Sequence, residues 1–172
     1  MNRKQGFTLI ELMVVMVILA ILMAIGTGAF TSSMIKGRDN TRKANLRAIT
    51  SALELYYNDK GKYPTGASGT FSSCYSTLTG TVVGSCGKDN PVFRDSPTTG
   101  AMYMAKFPVD PVSSLKYYYV SATGSQFQIY AHLENSQDPA INPTIISESI
   151  NCDNAAGTTL CNYGVSSANI NP

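Results

Sequence analysis

The sequence lacks the residues and motifs on which most enzyme chemistry depends. It contains no tryptophan and one histidine, His132, and it has no GxSxG, HExxH or phosphate-loop motif. His132 stands at an alternating strand position with no motif around it, and cysteine–histidine catalysis would need a free thiol beside it. We therefore expect that the protein is not an enzyme and holds no cofactor.

Charge is also scarce, and neither sign dominates. The 13 Lys+Arg and 11 Asp+Glu give a formal net charge of +2, far from the basic excess of a nucleic-acid-binding protein. One short segment concentrates charge, with Asp39 and Lys43 spaced for an i,i+4 pair; its members are Arg38, Asp39, Arg42, Lys43 and Arg47. We expect a solvated helix face or a salt-bridge surface between subunits here rather than contact with DNA.

Cysteine occurs at four positions, and none has the CxxC spacing of a zinc or redox site. Cys74 and Cys86 are 12 positions apart, and Cys152 and Cys161 are 9 apart. In an exported chain, an even count favours two disulfides, 74 to 86 and 152 to 161, each closing a surface loop. Four cysteines allow three pairings, and free buried thiols are the alternative, so the sequence leaves the connectivity open.

One long apolar run, from Phe7 to Phe30, carries a single charge at Glu11. As a helix it would be about 36 Å long, enough to span a hydrocarbon core of about 30 Å. Arg3 and Lys4 would keep its leading end on the cytoplasmic side of the membrane. A secretory signal peptide would have a shorter core and a small-residue cleavage site, and a plain anchor gains nothing from a carboxylate in the membrane.

The stretch GFTLIEL at residues 6–12 resembles the processing site of type IV prepilins and of the pseudopilins of type II secretion. The resemblance implies a class III leader, residues 1–6, that a prepilin peptidase removes between Gly6 and Phe7 before it methylates the Phe7 amine. It is strong to about residue 30 and looser through Pro64. Many pilins have a helix-breaking proline in this segment, whereas this chain has Gly26 and Gly28, which would favour local melting.

The resemblance also supplies a partner for Glu11. A carboxylate is strongly disfavoured in an apolar bundle, but the Phe7 ammonium of an incoming subunit would neutralise it when the register between neighbours is right. Phe7 and Glu11 are therefore the expected assembly residues. The alternative is a tolerated acid whose side chain extends toward the lipid headgroups.

Residues 31–60 are predicted to continue the same helix as an amphipathic half. An apolar stripe follows the helical period at Leu46, Ile49, Leu53 and Tyr56. Gly61 is a candidate left-handed cap for the helix end at 58–60.

Residues 61–172 are expected to form a globular head with two disulfide-closed loops. QFQIYAHL, at 126–133, alternates strictly, and with LKYYYV upstream it predicts a hairpin turning at 122–125. The face of Phe127, Ile129, Ala131 and Leu133 would receive the helix stripe. We expect an α+β fold with the helix on a small antiparallel sheet, a long loop over 65–100, and an irregular, exposed tail over 135–172.

The head offers two candidate ligand sites, a group of tyrosines and a group of oxygen-bearing side chains. Tyr117, Tyr118, Tyr119 and Tyr130 could stack on a sugar or a base, although strand tyrosines more often pack half-buried. Major pseudopilins bind calcium near the carboxyl end, where this chain offers Glu134, Asn135 and Asp138. There is no dense acidic loop, and Asp110-Pro111 lacks the Trp-Gly that often follows in that group, so no metal site is predicted.

The resemblance implies a structural subunit of a type IV pilus-like extracellular filament, held in the inner membrane before assembly. Its partners would be further copies of itself, the prepilin peptidase, and the pilus assembly platform with its ATPase. The first alternative is a major pseudopilin of a type II secretion system. The second, of another class, is a membrane-anchored monomeric binding protein. The sequence does not distinguish motility, adhesion and DNA uptake.

Overall fold

A computed structural model of the chain describes residues 6–66, 74–75, 92–96, 99–154, 157, 159–168 and 172, with the backbone alone for 25–29 and 74–75. The chain divides into two compact units, Met1–Gly37 and Arg38–Pro172. The expected leader, apart from Gly6, and the expected Cys86 partner of Cys74 lie outside the described residues, as does most of the predicted 65–100 loop.

The first unit holds the start of helix α1, Leu9–Lys60. The large apolar side chains from Phe7 to Met23 are all exposed, between 46% at Leu19 and 93% at Phe7. Within the described residues, no helical stretch combines the length and the hydropathy of a membrane span.

The second unit contains the rest of α1, two three-stranded antiparallel sheets and one short helix. The first sheet has the order β1-β2-β3 and is formed by Cys74–Tyr75, Val92–Arg94 and Met102–Met104. The second has the order β4-β5-β6 and is formed by Tyr118–Val120, Gln128–Ala131 and Tyr163–Ser166. Helix α2 is Pro143–Ser147. The expected α+β class is confirmed, with two small sheets in place of one.

The apolar stripe of α1 lies in the core of this unit, as predicted. Leu46 and Leu53 are 0% exposed, and the stripe lies in one apolar cluster with Ile129 of β5 and with Phe127, which directly precedes that strand. The helix ends at Lys60, where Gly61 adopts φ +69° and its N–H donates to the carbonyl of Tyr57 at 2.7 Å. Left-handed backbone at this position is the expected glycine cap.

The predicted hairpin is formed by β4 and β5, with Tyr119 opposite Ile129. The expected inner face is buried, but Tyr130 on the other face is only 1% exposed, because Ile145, Cys152 and Cys161 cover it. The expectation of an exposed tail is therefore wrong for these residues. The tail also supplies β6, which pairs with β5.

Candidate assembly site and ion cluster

The N-terminal end of α1 is closed by two side chains that bond to each other's backbone. Thr8, the residue before the helix, donates its N–H and its hydroxyl to Oε2 of Glu11, at 2.8 and 2.6 Å. The Glu11 N–H donates back to the Thr8 hydroxyl at 3.4 Å. This is a capping box, which satisfies N–H groups that have no carbonyl partner in the first turn. The Thr-x-x-Glu spacing is the sequence signal, and Thr8 was missed.

Glu11 and the residues before the helix are accessible. Gly6, Phe7 and Thr8 are outside the helix and exposed, and Glu11 is exposed on its first turn. A carboxylate at this end of a helix is favoured by the helix dipole. The structure thus brings the predicted assembly residues Phe7 and Glu11 to one accessible helix end, with the predicted cleavage site beside them.

A second group of polar residues is buried within the head, around Arg42. Its guanidinium donates to Asp110 from Nε and Nη2, at 2.8 and 2.9 Å, and to Asp39 from Nη1 at 2.7 Å. The same Nη1 lies 2.6 Å from Oε1 of Glu134. Burial alone would lower the pKa of Arg42, but hydrogen bonds to Asp110 and Glu134 outweigh burial and raise it.

Two further ion pairs surround this centre. Arg38 donates to Glu134, with Nε 2.8 Å from Oε1, and these hydrogen bonds lower the pKa of Glu134 to about 2 against the opposing effect of burial. Lys43 donates to both oxygens of Asp138, at 2.7 and 2.6 Å, and lowers the pKa of Asp138. We call the whole group the ion cluster; it comprises Arg38, Asp39, Arg42, Lys43, Asp110, Glu134 and Asp138.

The ion cluster corrects the expectation of a solvated or intersubunit charged face, except at Arg47, which is exposed. Asp39 and Arg42 are 1% and 0% exposed, and their partners belong to the same head. The expected Asp39–Lys43 pair is also wrong, because Asp39 pairs with Arg42 and Lys43 with Asp138. The oxygens considered for calcium, on Glu134 and Asp138, are bonded to these cations. Across the described residues, no three His, Cys, Asp or Glu side chains are arranged as a metal site.

The strand tyrosines pack as the sequence favoured and do not form a stacking platform, with Tyr118 half-buried and the other three buried. Tyr117, Tyr119 and Tyr130 are 5%, 0% and 1% exposed, and burial raises the pKa of Tyr117 to about 12. The Tyr119 hydroxyl donates to the carbonyl of Pro64 at 2.7 Å, so it fastens the chain after α1 to β4. These side chains pack in the core and offer no stacking surface.

The remaining candidate residues have structural partners. Nδ1 of His132 lies 2.7 Å from the carbonyl oxygen of Leu160, and a disulfide joins Cys152 to Cys161 with 5.1 Å between their Cα atoms. The described part of the chain contains no free cysteine.

Comparison with known proteins supports the class of protein that the N-terminal motif indicates, a filament subunit. Residues 1–27 match the family described as the prokaryotic N-terminal methylation motif. The type II secretion system core protein G of Pseudomonas aeruginosa is 34% identical over 133 residues, which cover 76% of this chain and 85% of that protein. Its counterpart from Klebsiella pneumoniae is 32% identical over 114 residues, covering 66% of this chain and 73% of that protein.

A third relative matches over a shorter stretch. The type IV major pilin protein PilA of Myxococcus xanthus is 38% identical over 61 residues, 36% of this chain and 28% of that protein. No solved structure matches the chain. With the long helix, the small antiparallel sheets and the N-terminal motif, these similarities establish that the chain belongs to the family of type IV pilins and type II secretion pseudopilins. It is a structural protein and not an enzyme.

Proposed function

We propose that this chain is a filament subunit that polymerises through α1 after a prepilin peptidase removes residues 1–6 and methylates Phe7. The observation that carries the proposal is an accessible carboxylate, Glu11, at the start of a helix whose described apolar side chains are all exposed as far as Met23. Apolar surface of this extent is covered by lipid or by other helices, because its exposure to water is strongly unfavourable. Residues 7–30 would lie in the inner membrane before assembly and in the filament core afterwards.

The Phe7 ammonium of one subunit would pair with Glu11 of its neighbour. The capping box leaves Glu11 bonded to Thr8 in the isolated chain, so an incoming ammonium meets a carboxylate that is already oriented. A pair of this kind in an apolar bundle is favourable only when both charges meet, and the contact therefore selects one axial register. The pilus platform and its ATPase would supply the subunits to the growing end.

The extent of similarity favours a pseudopilus of a type II secretion system as the destination. The two relatives named core protein G match over 133 and 114 residues, whereas the match to the pilin PilA is confined to 61 residues. The surface pilus expected from the sequence is the second candidate. Two observations favour the pilus. The Trp-Gly that often follows Asp-Pro in major pseudopilins is absent here, where Val112 follows Asp110-Pro111. The carboxylates that could bind calcium are already paired, Glu134 with Arg38 and Arg42, and Asp138 with Lys43. The anchored monomer with a tyrosine-rich binding sheet is disfavoured by the burial of that sheet.

Expression with a prepilin peptidase and either assembly system tests the proposal. Filaments sheared from cells and the remaining cell envelope are collected separately, and the mass of the N-terminal peptide in each fraction is determined by mass spectrometry. The variants are Glu11→Gln, which keeps the shape of the side chain and removes its charge, and Glu148→Gln, a matched control at an exposed glutamate of the head.

We expect a methylated N terminus at Phe7, and filaments that Glu11→Gln reduces at least about tenfold, the effect of losing roughly 1.4 kcal/mol per contact. Glu148→Gln should leave the yield unchanged. Polymer kept in the envelope supports the pseudopilus, and polymer in the sheared fraction supports the pilus. A chain that begins at Met1, or a filament yield that Glu11→Gln leaves unchanged, would contradict the proposal.

A further inference from the structure

The part of α1 that lies in the head is attached to it in two chemically different ways. From Leu46 to Tyr56, apolar side chains are buried against the sheets. From residue 38 to residue 45 the buried side chains are Asp39 and Arg42, and the only apolar side chain in this stretch, Ala44, is exposed. The first two turns of the head's helix are therefore held by polar contacts, and Arg38, the first residue of the second unit, makes one of them.

These polar contacts join the helix to segments far away in the chain. Asp110 lies in the turn after the first sheet, and Glu134 and Asp138 follow β5. The carboxylate of Asp39 also accepts the backbone N–H groups of Glu134 and Asn135, at 3.0 and 2.8 Å. Asn45 adds two neutral bonds at the end of the stretch, to the Tyr117 hydroxyl at 2.8 Å and to the carbonyl of Val109 at 3.3 Å.

We infer that the ion cluster is a latch: it fastens residues 38–45 of α1 to the head as a unit that opens separately from the apolar stripe. Local opening of a protein follows the distribution of its contacts, and a segment without buried apolar contacts opens when its polar contacts break. The latch lies at the first turns of the head's helix, which are the first part of the head on which a force pulling the N-terminal part of α1 would act. The inference concerns the unassembled subunit and does not depend on whether the chain polymerises.

Hydrogen exchange of the full chain in detergent micelles tests the latch. Arg42→Met would leave two buried carboxylates without their cation and weaken the whole head, so the variants remove the partly exposed outer pairs instead: Arg38→Gln combined with Lys43→Gln. Arg47→Gln is the matched control, an exposed cation on the same helix and outside the ion cluster. Exchange is followed by mass spectrometry in peptides covering 38–46 and 48–57.

We expect the double variant to exchange about three- to tenfold faster in 38–46, with 48–57 unchanged, because two partly exposed pairs are lost. Arg47→Gln should alter neither peptide. In addition, Lys43→Gln, Asp138→Asn and their combination should accelerate 38–46 to the same extent, because each removes the same pair. Unchanged exchange in 38–46, equal acceleration of both peptides, or additive effects at Lys43 and Asp138 would overturn the latch.

Discussion

Arg42 and Asp110 form a bidentate ion pair in which both side chains are fully buried, with Nε and Nη2 2.8 and 2.9 Å from the two carboxylate oxygens. The pair joins α1 to a turn 68 residues away. Asp110 also accepts the N–H of Val112 at 2.8 Å, so its carboxylate orders its own turn as well. One buried guanidinium thereby fixes the position of the helix against the segment that leads into β4.

Replacement of Arg42 by methionine tests this pair. The variant leaves Asp39 and Asp110 buried without their cation, and loss of one partner of a buried pair costs about 3–5 kcal/mol. Urea unfolding of the full chain in detergent, followed by the near-ultraviolet circular dichroism of the tyrosines, gives the free energy of unfolding. Arg47→Met is the exposed control and should change it by about 0.5 kcal/mol or less. A similar small change for Arg42→Met would refute a structural role for the pair.

Acid should weaken the head through Glu134. The pKa of Glu134 is lowered from 4.5 to about 2 in the folded chain, so this group binds its proton more readily when the chain is unfolded. Its stabilising contribution is fully present above pH 4.5 and is lost as the pH falls toward 2. Glu134→Gln should be less stable at neutral pH and should depend less on pH between 4.5 and 2. Glu148→Gln should keep the dependence of the parent chain; equal slopes for parent and Glu134→Gln would exclude this mechanism.

Two glycines with left-handed backbone should differ in their tolerance of alanine. Gly61 has φ +69° and open space where a Cβ would lie, so Gly61→Ala should cost about 1–2 kcal/mol. Gly124 has φ +78°, and a Cβ there would lie 2.8 Å from the carbonyl oxygen of Tyr63. Gly124→Ala should therefore cost about 1–3 kcal/mol more. Thermal unfolding of both variants measures the difference, and equal costs would show that the close approach to Tyr63 is relieved without strain.

The Cys152–Cys161 disulfide should stabilise the face of the second sheet that carries Tyr130. Joint replacement of both cysteines by alanine should lower the free energy of unfolding by about 3 kcal/mol, because the loop is then open in the unfolded chain. The double variant is preferable to a reducing agent, which would also reduce the disulfide expected between residues 74 and 86. Unfolding in urea at equal protein concentration provides the measurement, and a loss below about 1 kcal/mol would show that the loop is held by its other contacts.

Local patterns in the sequence were sufficient for the helix stripe and the hairpin. Leu46, Ile49 and Leu53 recur at the helical period, and Phe127, Ile129 and Ala131 alternate, so each pattern carries its own signal. The partners of Arg42 carry no such signal. Asp110 is 68 residues away and the Arg38 partner Glu134 is 96 residues away, and only the tertiary fold brings them together.

The sequence was least informative about the C-terminal segment. Strand β6, Tyr163–Ser166, is four residues long, contains Gly164 and has no buried-exposed alternation, because all four residues are half-buried. Its place beside β5 follows from pairing and not from pattern, with Gly164 opposite Tyr130. A Cβ at Gly164 would lie 2.8 Å from the Tyr130 ring, so the glycine makes room for a tyrosine that the sequence alone would leave in solvent.

The contact between Phe7 and Glu11 of neighbouring subunits is the central claim, and isotope-mixed filaments test it most directly. Filaments are assembled in cells from processed ¹⁵N-labelled and unlabelled subunits, treated with a zero-length carbodiimide, and digested for mass spectrometry. The account predicts cross-linked peptides in which a Phe7 amine of one isotope is joined to a Glu11 carboxylate of the other, and none from Glu11→Gln filaments. Cross-links confined to subunits of one isotope, or filaments whose chains still begin at Met1, would contradict it.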